Sequence, residues 1–393
     1  MKICHICSGF PPAVGGTETH NYSIVKYLSE KGYDVDVIVI RPSRKLLLRT
    51  NYDENTIKKI LTKNFTMPEL KNVRLYNIPY PKPIIGYYQI WKKVREIEKK
   101  HGKIDVIDVH NYPLAIPFSK KRKIILSLHF FELTCPHTIW PKPCNSSLKN
   151  CSKCVGYFRY FYWKVTKNLA LNKISKIMVK YNYAKNILVK SGLDKNKIEV
   201  IPHWIDVEKI RTNKIEKKSD DNFIFLFIGR LSEEKGPDLL LKAFSKIPNK
   251  TKKLVFIGSG ALKGELINFC KNNKIENVEF RGYVPHNQIG RYLNESDCIV
   301  FPHRYFNYEW ALLEAMCVEK PIIATDVEAT SEILTDGFNA ILCEPNEKSI
   351  EGALKRVLEC KDLKEIAKNS YSIVKEKHSM KNLEKYEEMI HSL

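Results

Sequence analysis

The chain has 393 residues, of which 44% are hydrophobic and 28% charged, with a formal net charge of +21. That length exceeds what one hydrophobic core serves and predicts two domains, and the apolar content excludes a disordered polymer. No apolar run approaches the ~20 residues of a membrane span. The charge is lopsided: residues 1–205 carry 36 Lys and Arg against 14 Asp and Glu, while residues 206–393 carry 29 against 30. A genome-wide lysine bias would raise both halves, so the basic half is expected to meet something anionic, such as phosphate, nucleic acid or an acidic membrane.

In chain order, KICHIC reads as a first strand. A Pro- and Gly-rich loop follows, SGFPPAVGGTETH, and then a helix, NYSIVKYLSEKG, capped at Gly32. The lone lysine and short apolar stretch of MKICHICSGFPP are too little for a secretory signal, so a cytoplasmic protein, or one peripheral to the inner face of the cell membrane, is expected. YDVDVIVI, IDVIDVH, KIILSLH, KIMVK and KIEVIP are further strands, with helical AKNILVKSG before the last. Asp34 and Asp36 match a DxD metal motif by letters, but inside a strand they read as structural.

A polar stretch, RTNKIEKKSDDN, precedes a second series. NFIFLFIGR, KLVFIGSG, VEFRGYV, CIVFP, PIIAT and NAILCEP read as strands, separated by helical PDLLLKAFSKI, GELINFCKNN, NQIGRYLNESD and ALLEAMCVE. The chain closes on an amphipathic helix, KNLEKYEEMIHSL. Alternating strands and helices predict two doubly wound α/β sheets, with ligands at the carboxyl ends of their strands. The expected domains are 1–205 and 206–375, with 376–393 as a terminal helix that packs back on the first.

Among candidate site residues, the loop in IGRLSEEKGPDLLLKAF stands out. Gly229 and Arg230 end a strand, and Lys235 and Gly236 immediately precede a helix. An arginine, a lysine and helix N-terminal N–H groups around one point suit a diphosphate, although an ordinary basic turn has the same letters. In FPHRYFNYEWALLEAMCVEKPIIAT, Glu309 and Glu314 lie five residues apart. On a helix they would differ by roughly 140° around the axis, so they cannot act as a pair on one face.

GRLSEEKGPDLLLKAF followed by PHRYFNYEWALLEAMCVEKPIIAT resembles the retaining glycosyltransferases of family 4, which have the GT-B fold. SGFPPAVGGTETH, KIEVIPHWID and VFIGSGALKGEL agree in order, and the resemblance covers nearly the whole chain. It implies two Rossmann-like domains facing a central cleft. It also implies transfer of a sugar from a nucleotide-sugar donor to a glycan or lipid-linked acceptor at the cytosolic membrane face. By position, Arg230 and Lys235 would hold the donor diphosphate, and Gly15 and Gly16 would let the first loop's backbone approach it. Glu314 would accept from the donor ribose hydroxyls. His110 would face the donor sugar, and His129 matches a second family histidine. The family's first glutamate lies eight residues before its second, and here that position is Phe306. Glu309 is then expected to take the catalytic role, with the backbone of Asn307 and Tyr308 holding the sugar. No catalytic metal or other cofactor is implied.

Cys135, Cys144, Cys151 and Cys154 form a Cys-rich insert, 129–156, with zinc-like spacing that equally fits disulfides or free thiols. Just beyond, VGYFRYFYWKVTKNLALNKISK interleaves aromatics with lysines, as a membrane interface or a core helix with a basic outer face would. A nucleotide-sugar 2-epimerase of the same fold and an inactive nucleotide-sugar-binding relative are the alternatives. No nucleic-acid-binding motif accompanies the basic half, so no nucleic-acid partner is expected.

Overall fold

The computed structural model describes residues 1–11, 16–41, 70–79, 85–110, 122–129, 133, 156–212, 222–247, 251–305 and 310–393. The chain divides into two compact units, Met1–Pro202 with Leu383–Leu393, and His203–Asn382.

The first unit is built on strands β1 (Lys2–Cys7), β2 (Asp34–Arg41), β3 (Val73–Pro79), β4 (Val106–His110), β5 (Lys123–Ser127), β6 (Lys176–Val179) and β7 (Ile198–Val200). They form one parallel sheet in the order β3-β2-β1-β4-β5-β6-β7. All six residues of β1 and all five of β4 are buried, as a parallel sheet covered on both faces requires. Helices α1 (Gly16–Glu30), α2 (Ile85–His101), α3 (Tyr157–Leu171) and α4 (Asn182–Lys190) complete the unit's first pass. Ile90, Trp91, Val94 and Ile97 of α2 enter a core shared with Ile6, Ile38, Val109 and Leu126. After α1, Gly32 takes φ +81, the left-handed stop expected there.

Asp34 and Asp36 are structural. Arg74 on the neighbouring β3 donates to Asp36 at 2.7 Å and to Asp34 at 2.6 Å, and the amine of Lys2 stands 3.4 Å from Asp36.

The second unit repeats the plan with β8 (Phe223–Ile228), β9 (Lys252–Ile257), β10 (Val278–Gly282), β11 (Cys298–Phe301), β12 (Ile322–Thr325) and β13 (Ile341–Cys343). These run parallel in the order β10-β9-β8-β11-β12-β13. Around them lie α5 (Val207–Thr212), α6 (Pro237–Ser245), α7 (Lys263–Asn272), α8 (His286–Glu295), α9 (Trp310–Cys317), α10 (Glu347–Glu359) and α11 (Leu363–Lys377). Phe225, Phe227, Phe244 and Phe256 dominate the core. Glu319, just past α9, adopts φ +53 and pairs with Arg211 of α5 at 3.0 Å.

The last helix, α12 (Asn382–His391), returns to the first unit. Tyr27 and Tyr33 both donate to its Glu387 at 2.6 Å. In both sheets the strand order reverses beside the first strand, between β1 and β4 and between β8 and β11. Each reversal opens a crevice at the carboxyl ends, where α/β sheets take their ligands.

Candidate functional site

In the second unit the loops leaving β8, β9 and β11 are locked together through their backbones. Leu231 N donates to Ser259 O and Leu262 N to Leu231 O, each at 3.0 Å, and Arg304 N donates to Glu234 O at 2.9 Å. Gly236 ends a short 3₁₀ turn with φ +62 and precedes Pro237, the first residue of α6. A Cβ on Gly236 would stand 1.9 Å from Pro302 O, and one on Gly258 (φ +125) would stand 1.9 Å from Gly229 O. Only glycine fits either place.

Arg304 clamps the same turn. Its guanidinium donates to both oxygens of Asp238 at 2.8 and 2.6 Å and to Glu233 O at 2.7 Å, a bidentate arrangement that fixes α6 by its first turn.

This scaffold presents Arg230 and Lys235. The Arg230 side chain is 74% exposed and stands 3.5 Å from Glu234, which also accepts from the Ser232 hydroxyl at 2.6 Å. Lys235 is half-buried. Burial, followed by the neighbouring Arg230 charge, draws its ammonium down to about 7. Two cationic groups thus stand on the loop leading into the N-terminus of α6, at the strand-order reversal. Such a pairing suits a doubly charged anion.

Glu314 on α9 is 7% exposed. His286, the first residue of α8, meets its carboxylate at 2.5 Å, and this contact raises the imidazole pKa. One hydrogen bond leaves a carboxylate ample capacity for two hydroxyls. Sequence reasoning missed His286; the available signal was a histidine directly after Pro285 at a strand–helix junction.

In the first unit His110 ends β4 and is fully buried. Its Nε2 lies 2.7 Å from Asp108, itself inaccessible. Asp108 also accepts from Ser127 at 2.8 Å and from Tyr386 of α12 at 2.6 Å, and His5 Nδ1 stands 3.6 Å away. Burial works to raise the Asp108 carboxyl, but the charge and hydrogen bond of His110, with His5, hold it well below the usual carboxylate range. An ionised carboxylate only accepts, so Nε2 of His110 carries the proton. Burial lowers the His110 imidazole to about 4, leaving Nδ1 bare for His129 Nε2 at 3.0 Å.

His129 is the one partly exposed member of the line Asp108–His110–His129. His20 of α1 packs edge-on against His129 with ring centroids 4.7 Å apart, and Lys180, after β6, stands 3.1 Å from its Nε2. Burial lowers the Lys180 amine to about 7. Asn21 links His5 at 3.2 Å to Gly9 O at 2.7 Å. Of this cluster, sequence reasoning named only His110 and His129.

Gly16 opens α1 rather than lying in the loop before it. Gly15, Phe306, Asn307, Tyr308 and Glu309 lie outside the described residues, as do Cys135, Cys144, Cys151 and Cys154. The remaining seven cysteines are free, and the six that are buried act as core filler.

Two histidines predict acid lability. His110 in the first unit and His378 in the second are both lowered to about 4, chiefly by burial, from 6.5. Between those values the unfolded chain binds more protons than the native one, so stability falls as pH drops. The expected slope is up to ~1.4 kcal/mol per pH unit for each group. Urea midpoints measured from pH 7 to 4.5 test this, and a flat profile contradicts it.

Two family models match the chain: Glycosyltransferase Family 4 over residues 14–209 and Glycosyl transferases group 1 over residues 208–372. An uncharacterized glycosyltransferase of Methanocaldococcus jannaschii is 26% identical, covering 98% of this chain and 96% of its own. A UDP-Gal:alpha-D-GlcNAc-diphosphoundecaprenol alpha-1,3-galactosyltransferase of Escherichia coli is 25% identical with the same coverage. Among solved structures, sucrose-phosphate synthase of Thermosynechococcus elongatus superposes with a TM-score of 0.75 at 16% identity. Anabaena HepE in complex with UDP superposes with a TM-score of 0.72 at 18% identity, and both superpositions cover the whole of each chain. With two parallel-sheet α/β units and the two family models together matching residues 14–372, the chain belongs to glycosyltransferase family 4, with the GT-B fold, and is a glycosyltransferase.

Proposed function

We propose that the chain transfers a sugar, with retention of anomeric configuration, from a nucleotide-sugar to a glycan or lipid-linked acceptor at the cytosolic face of the membrane. The observation that carries this reading is the pair Arg230 and Lys235, held on a rigid loop at the N-terminus of α6. A nucleotide-sugar donor brings a diphosphate to such a point. In the transition state the leaving diphosphate gains charge, which two cations and helix N–H groups stabilise. Glu314, steadied by His286, accepts from the ribose hydroxyls, and Gly15 and Gly16 let the first loop's backbone near the phosphates. Asn307, Tyr308 and Glu309 hold the transferred sugar, Glu309 standing in for the carboxylate missing at Phe306. His110, positioned by Asp108, acts on the sugar side through His129.

The chemistry asks for no metal or other cofactor, because the leaving phosphate can take the acceptor's proton on the same face. A zinc on Cys135, Cys144, Cys151 and Cys154 would serve structure alone. Support for a lipid-linked acceptor comes from relatives. Besides the E. coli enzyme, an N-acetylgalactosamine-N,N'-diacetylbacillosaminyl-diphospho-undecaprenol 4-alpha-N-acetylgalactosaminyltransferase of Campylobacter jejuni is 26% identical over 47% of this chain. The test is nucleotide release from a panel of UDP-, GDP- and ADP-sugars, with and without polyprenyl-diphosphate-linked sugars. One donor turned over and stimulated by the lipid-linked acceptor is the expected result. Donor binding with no turnover under any acceptor would leave an inactive relative.

A further inference from the structure

Helix α3 (Tyr157–Leu171) carries an unusual outer face. Its inward residues Trp163, Thr166 and Ala170 are 4%, 6% and 0% exposed. On the opposite side Tyr157, Phe161, Val165 and Leu169 are 82%, 62%, 40% and 50% exposed. The spacing is four residues throughout, so these side chains form one ridge along the helix. Single exposed apolar residues are ordinary; a continuous ridge over three turns marks a surface that something covers.

The charge around the ridge says what covers it. The segment YFRYFYWKVTKNLAL contains no acidic residue. Lys164 is exposed beside the ridge, and Lys167 lies over the Trp163 ring at 5.0 Å. Residues 151–205 hold 11 Lys and Arg against 2 Asp and Glu. An apolar ridge flanked by lysines, with tyrosine at one end, matches the layering of an anionic bilayer surface: acyl chains beneath, headgroups level with the ring, phosphates at the amines. At 15 residues, and polar on part of its circumference, the helix cannot span; it can lie in the plane of the interface.

We propose that the Tyr157–Leu171 helix docks the protein on an anionic lipid surface, with the Tyr157, Phe161, Val165 and Leu169 ridge inserted and Lys164 on the lipid phosphates. The proposal rests on the lipid-linked acceptor proposed above for its purpose, but not for its chemistry.

The experiment uses the full chain in co-sedimentation with phosphatidylcholine vesicles, with and without a third of phosphatidylglycerol. Wild type is compared with the exposed-site double variant Phe161→Ser/Leu169→Ser and with Lys164→Glu. Wild type is expected to sediment with the anionic vesicles, weakly with neutral ones, and less as salt rises. The double variant should lose about tenfold or more in partitioning, given the apolar area withdrawn, and Lys164→Glu should lose selectivity for the anionic vesicles. Donor hydrolysis in the absence of lipid should be the same in all three proteins, which separates docking from chemistry. If wild type turns over no donor yet binds vesicles through the ridge, the transferase reading fails and the docking surface stands. If wild type and the double variant partition equally, or neither binds, the docking surface is wrong. A lipid-free dimer of wild type that becomes monomeric in the double variant would also overturn it, assigning the ridge to a second copy of the chain.

Discussion

Replacing Lys235 by alanine is expected to weaken nucleotide-sugar binding by about 10- to 100-fold, the worth of a charge-assisted hydrogen bond to phosphate. Arg230→Ala should weaken it by a similar amount, and the double variant by less than the product, since both cations meet one diphosphate. The lysine adds a pH signature. In the unliganded protein its ammonium is drawn down to about 7 by burial and by Arg230. An arriving diphosphate favours the charged form and raises that value. Below pH 7 the lysine is already protonated and binding should be flat. Above pH 7 binding must take up a proton, so affinity should fall by up to ~10-fold per pH unit. Titration calorimetry in two buffers of different ionisation enthalpy measures that uptake directly. Lys235→Arg should abolish it, because a guanidinium stays charged throughout. Unchanged donor affinity in Lys235→Ala, with pH-independent binding in wild type, would remove the diphosphate site from this loop.

Asp108→Ala is expected to be the most destabilising single change in the first unit, at about 3–5 kcal/mol. Three donors converge on this inaccessible carboxylate from β4, β5 and α12: His110, Ser127 and Tyr386. Removing the acceptor strands all of them in a site water cannot reach, and an unmet buried donor costs about 1–3 kcal/mol. Tyr386→Phe deletes one donor and leaves Asp108 two others, so its cost should be near ~1 kcal/mol. Urea unfolding followed by circular dichroism measures both. A loss under ~1 kcal/mol for Asp108→Ala would mean that the cluster re-pairs without its carboxylate.

The fold was legible wherever strands are buried on both faces. FIFLFI, CIVF and DVDVIVIR announce themselves through apolar, β-branched runs, and the alternation with helices implies parallel pairing. β3 escaped notice because VRLYNIP is interrupted by Arg74 and Asn77 and ends in proline, as suits an edge strand paired to β2. Helices α10 and α11 escaped because charged residues outnumber their buried stripes, Ile350, Ala353, Leu354 and Val357 in the first of them. The loop that brings Arg230 and Lys235 together was readable since its residues are neighbours in sequence. The Asp108 cluster was not: Asp108 and Tyr386 are 278 residues apart, and no local pattern joins a strand near the start to a helix at the end. His286 and Glu314 met the same obstacle at a separation of 28 residues.

The second unit begins and ends at one spot. His203 O accepts from His378 Nδ1 at 2.9 Å and from Asn382 Nδ2 at 3.3 Å, and Ile205 N donates to His378 O at 2.8 Å. The segment His203–Asn382 is therefore a continuous insert whose entry and exit are stitched side by side, the geometry that lets one domain be spliced into another. The Arg230, Lys235, His286 and Glu314 cassette can then be exchanged between relatives as a single stretch of gene, leaving Asp108 and its C-terminal tyrosine with the host. Exchange of the second unit by recombination needs two crossovers at adjacent points in space, and the buried Asp108–Tyr386 bond re-forms only when the last helix comes back in frame.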